Sequence, residues 1–261
     1  MSYTLAYVIM LAACLDPQAP ADPLPVQPAP ALRAASAAVK APQVEGSGGF
    51  KGFVGDVLHD YRNMLSVENA EWASVGSVVT LAFHANDEEF SQNTAHATPT
   101  ALKPGATYGN LPFQVPLAAT WWVVGHAAGN ARAAAAGRDL ARAQISAFSW
   151  TYAIKYAVGR TRPNGDPRSF PSGHTSASFA TAMVLQEHYG WKLGVPMFAL
   201  AAYTGAERVY DSKHWASDVA FGAVVGILSG RTVTVRLRRS RIAASPIAAP
   251  GGGGVAFHVL H

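Results

Sequence analysis

Residues 155–174 read KYAVGRTRPNGDPRSFPSGH, and residues 208–218 read RVYDSKHWASD. Three groups in these stretches suit a single tetrahedral anion: Lys155 with Arg162 and Pro163; the run Pro171-Ser172-Gly173-His174; and Arg208 with His214 and Asp218. Lys155 and Arg162 stand about two helical turns apart, at the end of a helical pattern that Pro163 is expected to terminate. A compact ammonium beside a planar guanidinium fork is the mixture expected around an oxyanion. The SFPSGH run leads into the apolar-rich segment 175–189 and so predicts a helix N-terminus. There the free backbone N–H groups and the Ser172 hydroxyl point at an anion, Gly173 admits a close backbone approach, and His174 is placed to pass a proton. The His214-x3-Asp218 spacing predicts two side chains on one helical face, with the carboxylate accepting Nδ1–H and Nε2 left as a nucleophile or base. Taken singly, each group has a plainer account, as a basic helix end, an N-cap serine or a surface His–Asp pair.

In this order the three groups resemble the signature of the type-2 phosphatidic acid phosphatase superfamily, which also contains bacterial nonspecific acid phosphatases and vanadium haloperoxidases. The family pattern is K-x6-RP, then PSGH, then SR-x5-H-x3-D. The one departure is Glu207, where the family usually has Ser before Arg208. The resemblance covers about a quarter of the chain. It implies an all-α helical bundle and a phosphoric-monoester hydrolase working through a phosphohistidine. His214, oriented by Asp218, is then the nucleophile, and His174 serves as acid and then base. Lys155, Arg162, Ser172, Gly173 and Arg208 bind the phosphate. No metal or other cofactor is expected, and vanadate is expected as an inhibitor. In the haloperoxidase branch the same residues would hold vanadate as cofactor on His214; an inactive tethered envelope protein is the non-enzymatic alternative. The Glu207 carboxylate is expected to pair with Arg208 and to compete with phosphate. The partner is a phosphorylated small molecule or a lipid phosphate, nucleic acid is not expected, and neither the substrate nor the oligomeric state is fixed by these residues.

Outward from the motifs, the 261 residues are 49% hydrophobic and 14% charged, enough for one sizeable domain. The formal charge of +4 comes from a C-terminal basic segment with Arg231, Arg236, Arg238, Arg239 and Arg241. The expected organisation is a signal and lipobox-like segment over 1–14, a Pro- and Ala-rich tether over 15–50, the helical domain over 51–230, and a basic segment with a small hairpin around Pro250 over 231–261. The apolar run Leu5 to Leu15 is too short to span a bilayer and suits a signal-peptide core. Cys14, the single cysteine, stands in a lipobox-like context, so export to the periplasm with a lipid anchor at Cys14 is expected.

Apolar spacing predicts helices over 54–65, 67–90, 111–136, 140–158, 175–189, 191–209 and 214–228, about six of them main helices of a bundle. Pro116 is expected to interrupt the third, and Gly137-Arg138-Asp139 to end it; 91–110 reads as a loop. No helix holds eighteen uninterrupted apolar residues, since Gln114, His126, Asn130, Arg132, Arg142, Gln144, Gln186 and Glu187 break the runs. With a mean hydropathy of +0.11, this favours a soluble domain. His59, His84, His96, His126 and His188 read as surface or hydrogen-bonded core residues, and His258 and His261 as incidental.

Overall fold

A computed structural model describes residues 49–94, 98–235, 242–249 and 252–259, and the expectations for the leader, Cys14 and most of the tether lie outside them. The helices are α1 Gly49–Met64, α2 Val67–His84, α3 Asp87–Thr94, α4 Pro104–Tyr108, α5 Leu111–Ala127, α6 Ala131–Val158, α7 Gly173–Tyr189, α8 Trp191–Tyr210 and α9 Ala216–Val233, with a 3₁₀ turn at Thr100–Leu102. The domain is all-α, as expected, and seven of its helices have 16 residues or more. After it, strand β1 (Ile242–Ala249) pairs antiparallel with β2 (Gly252–Val259), placing Ile242 opposite Val259; the expected turn at Pro250 lies outside the described residues.

Helix α7 lies at the centre, packed on α6, α8 and α9, and α9 also packs on α2. The α7/α9 contact is made possible by glycine. Built Cβ atoms at Gly222, Gly226 and Gly230 would lie 2.6 Å from Ser172 O, 2.4 Å from Ser176 O and 2.6 Å from Met183 Cβ. Spaced four apart, these positions form one bare stripe that lets two backbones meet. The stripe brings the starts of the two helices together, so that the Ser172 N–H donates to the Asp218 carbonyl at 2.9 Å.

Two sequence expectations about helix breaks are corrected. The chain turns at Gly129, which has φ +64, and Asn130, whose side chain caps α6 by accepting the Ala133 N–H at 3.0 Å; α6 then runs without interruption through Gly137. Gly137 is a contact residue, because a Cβ there would sit 2.2 Å from Trp122 N, and one at Gly125 2.2 Å from Ala134 N. The α5/α6 pair is thus packed backbone to backbone, and Pro116 lies inside an unbroken α5. The 67–90 expectation divides at Ala85 and Asn86 into α2 and α3, and part of 91–110 is helical.

The interior is small and polar, and the exterior is large and apolar. The core cluster is mostly alanine with Leu140, Val184, Leu185 and Val233. Val75, Val78 and Leu81 of α2, Val123 and Val124 of α5, and Trp191 and Val195 of α8 are all more than half exposed. The residues taken to argue for a soluble domain are largely internal: Gln114, Arg142, Gln144, Gln186 and Glu187 are buried. Thr181 donates to Gln114 Oε1 at 2.6 Å, and the Gln144 amide donates to Thr181 Oγ1 at 2.9 Å. Polar residues that break an apolar run in sequence therefore leave the outer surface apolar, which removes the argument for solubility. Among the described residues, α9 alone is long and apolar enough by composition to cross a membrane, and it is more than half buried.

Candidate active site

The candidate side chains come from the last turn of α6, the loop after it, the first turn of α7, the end of α8 and the start of α9. Helix α6 ends at Gly159, left-handed at φ +66, and not at Pro163 as the motif suggests. Lys155, 6% exposed, donates from Nζ to the carbonyls of Arg168 (2.8 Å) and Ser169 (3.0 Å). An ammonium has three N–H groups, so one is left for an anion. The 162–166 loop closes with the Arg162 N–H on the Asp166 carbonyl, and Arg162 Nε is buried with no hydrogen-bond partner.

Ser172 is the N-cap of α7, and its hydroxyl is occupied: it accepts from the Thr175 hydroxyl at 2.9 Å and lies 3.5 Å from the Thr175 N–H. The plain N-cap reading of that hydroxyl therefore holds in this structure, and the amides at the helix start are the groups free to meet an anion. The charges of Arg208, His214, Lys155 and Arg162 all act on the His174 ring, so these groups lie within electrostatic reach of it. His174 also lines a small cavity of about 80 Å³ with Gly109, Asn110, Thr151 and Gly173. Leu111, Gln144 and Phe148 border both this cavity and a second one of about 820 Å³ between α1, α5 and α6, whose walls include Phe50, Phe53, Val115 and Trp122.

Arg208, 8% exposed, forms a two-pronged pair with the buried Glu207 carboxylate through Nε and Nη2, both at 2.5 Å, and Nη2 lies 3.5 Å from Asp211. The pairing expected from sequence is present.

His214 and Asp218 adjoin, but not on one helical face. His214 lies in the turn before α9, and Asp218 is the third residue of that helix, where Oδ2 accepts the Trp215 N–H at 2.9 Å. The helix therefore starts too late for both residues to ride on it. His214 Nδ1 stands 3.6 Å from Asp218 Oδ2, beyond hydrogen-bond length, and is buried without a partner. Burial pushes the His214 ring down to about 4; the Asp218 carboxylate opposes the shift, while Lys155 and Arg162 add to it. The ring is thus neutral at ordinary pH, with a lone pair available.

Residues 139–242 match the model of the PAP2 superfamily. Over those residues the chain is similar to that superfamily. Over 80 residues, 29% of the chain, it is 45% identical to the lipid A 1-phosphatase of Porphyromonas gingivalis, covering 18% of that protein. Over 58 residues, 22% of the chain, it is 36% identical to the lipid A 4'-phosphatase of Helicobacter pylori, covering 29% of it. The chain thus spans under a third of these curated relatives. The crystal structure of a transmembrane PAP2 type phosphatidylglycerolphosphate phosphatase from Bacillus subtilis superposes with a TM-score of 0.56 at 18% identity, over 67% of this chain and 98% of that one, so the two share a fold.

Beyond the PAP2 motif positions, three residues reach the site that the sequence reading did not assign. Ser169 donates its hydroxyl to Asp218 Oδ2. Arg160 donates from Nη1 to Asp218 Oδ1 at 2.8 Å and from Nη2 to Asp87 Oδ2 at 2.8 Å. Arg160 and Ser169 sit inside the quoted stretch and were legible as neighbours of the motif; Asp87, on α3, carried no local signal. Of the other histidines, His188 pairs with Asp139 at 2.9 Å in the core, as its reading as a hydrogen-bonded residue allowed.

Proposed function

We propose that the protein is a phosphatase that removes phosphate from a phosphorylated lipid, through a phosphohistidine on His214 and without a metal ion. The observation that carries the reading is that Lys155, Arg162, Arg208 and His214 all lie within electrostatic reach of His174, beside an apolar cavity of about 820 Å³. His214 Nε2 attacks phosphorus in line, and the bond to the leaving oxygen breaks as the N–P bond forms. Lys155, Arg162, Arg208 and the amides of Gly173 and His174 hold the equatorial oxygens, where charge is greatest in the transition state. His174 gives its proton to the leaving oxygen, then takes one from the water that cleaves the N–P bond and frees inorganic phosphate.

The lipid part of the reading is supported by the apolar cavity, by an apolar exterior suited to a bilayer, and by relatives whose names specify lipid A. Long helices with polar interiors and apolar outer faces are what a bilayer selects, since internal polar groups must be satisfied within the bundle. Export and acylation of Cys14 belong to the same proposal, and Cys14→Ser separates them from catalysis: it should abolish acylation, read from the intact mass, and leave turnover unchanged.

The full-length chain, purified in detergent, is assayed against a diacyl lipid phosphate, a lipid-linked diphosphate, a nucleotide and a water-soluble aryl phosphate. The expected result is at least a roughly tenfold higher kcat/KM for a lipid phosphate, with competitive inhibition by vanadate, no effect of EDTA, and an acid-labile phosphoenzyme on rapid quenching. Preference for the soluble esters overturns the lipid reading. Bromide oxidation by vanadate-loaded protein with no ester hydrolysis puts the haloperoxidase reading in its place.

A further inference from the structure

Both oxygens of Asp218 are engaged, and what engages them leads out of the motif. Oδ2 accepts from Ser169 and from the Trp215 N–H, and faces His214 at 3.6 Å. Oδ1 accepts from Arg160 Nη1, which also donates to Ser217 Oγ at 2.8 Å. The other prong of Arg160 is held by Asp87, whose side chain is 4% exposed. Asp87 in turn accepts the Ser217 N–H at 2.9 Å and the Ser217 hydroxyl at 2.5 Å, so one carboxylate pins both Arg160 and the first turn of α9. The Arg160 guanidinium lies over the Trp215 ring, 5.1 Å from its centroid, which restrains its plane. His84 Nδ1 stands 3.1 Å from Asp87 Oδ2.

We propose that Arg160, held by Asp87, is a positioning residue that fixes the Asp218 carboxylate in the orientation His214 requires. A carboxylate gripped at one oxygen by a charge-assisted bond cannot rotate freely, so its second oxygen stays aimed at the imidazole. Only a planar fork can address two carboxylates on two helices at once, which is why lysine cannot substitute fully. The arrangement extends the site to α3, a helix outside residues 139–242, and it rests on the phosphatase reading for its kinetic consequence alone.

The test uses the full-length protein and the variants Asp87→Asn, which keeps shape, Arg160→Gln and Arg160→Lys. The expected result is a kcat lowered by roughly ten- to hundredfold with KM little changed, the range typical of a group that orients a functional histidine from behind, and partial recovery in Arg160→Lys. In an Asp218→Asn background, Arg160→Gln should cost nothing further, because both changes act through the same carboxylate. The second readout needs no turnover: ¹⁵N-histidine spectra follow the titration of His214, which faces Lys155 of α6, Arg162 of the following loop, His174 of α7 and Asp218 of α9. Loss of the Arg160 cation leaves the Asp218 charge less offset, so the titration should move upward in Arg160→Gln. Additive losses in the double variant, a rise in KM alone, or an unmoved His214 titration overturns the proposal. A wild type that hydrolyses no phosphate ester defeats the phosphatase reading, and the titration then still decides this one.

Discussion

Buried charge occurs in two places along α6 and α7, and the two differ in how completely it is paired. In the middle of the bundle, Arg142 donates to both oxygens of Asp60 on α1, at 2.8 and 2.5 Å, and to Asp139 at 2.9 Å; Asp139 accepts His188 on its other oxygen. At the end of the bundle, His214 Nδ1 and Arg162 Nε are buried without partners, and Lys155 keeps one donor unspent. A saturated network holds helices together, whereas buried groups left unmatched are costly unless a ligand completes them. That difference sets the candidate site apart from the network that holds the helices together.

The largest expected effect is at the unmatched end. His214→Ala should abolish turnover and phosphoenzyme formation while the helical signal and thermal transition stay near wild type; normal turnover by this variant would remove the nucleophile assignment. The mirror-image change is Arg142→Leu, which strands Asp60 in the core and leaves Asp139 with His188 alone. It should lower stability by roughly 3–5 kcal/mol, read as a fall in Tm, with kcat of the remaining folded protein little changed. If kcat fell instead and Tm held, the division between the two networks would be wrong.

A subtler effect concerns protons. The His214 ring titrates near 4 when folded, below its ordinary value of 6.5. The neutral ring is the nucleophile, so the acid limb of kcat/KM, where His214 takes up its proton, should lie near pH 4. Between 6.5 and 4 the unfolded chain binds a proton that the folded ring refuses, so this residue's contribution to stability is lost as pH falls through that window. An acid limb near 6.5 in the rate profile would show that the ring is not buried as described.

The smallest expected effect is at Glu207, the single departure from the motif. Its carboxylate occupies two N–H groups of the Arg208 fork. Glu207→Ser should lower KM by roughly three- to tenfold, since a charge-assisted pair need no longer open for phosphate. An unchanged KM would assign the pair to structure, as with Arg142 and Asp60.

The candidate site could be read from sequence because it is a matter of residue type and short spacing: Lys155, Arg162, His174, Arg208, His214 and Asp218 occur in two brief stretches. Helical character was legible for the same reason, since apolar spacing is local. The facing of each helix was decided only by the tertiary structure. Gln114, Arg142 and Gln144 look in sequence like interruptions of an apolar run, but each turns inward to a partner on another helix, which leaves the exterior apolar. Gly137 looks like a helix breaker and is a contact point, because its meaning depends on the Trp122 backbone lying against it. Asp87 could not be placed by any local pattern, because it reaches the site through an arginine 73 residues away along the chain. Sequence spacing fixes which groups are near one another along the chain, whereas packing fixes which of them share a partner across it.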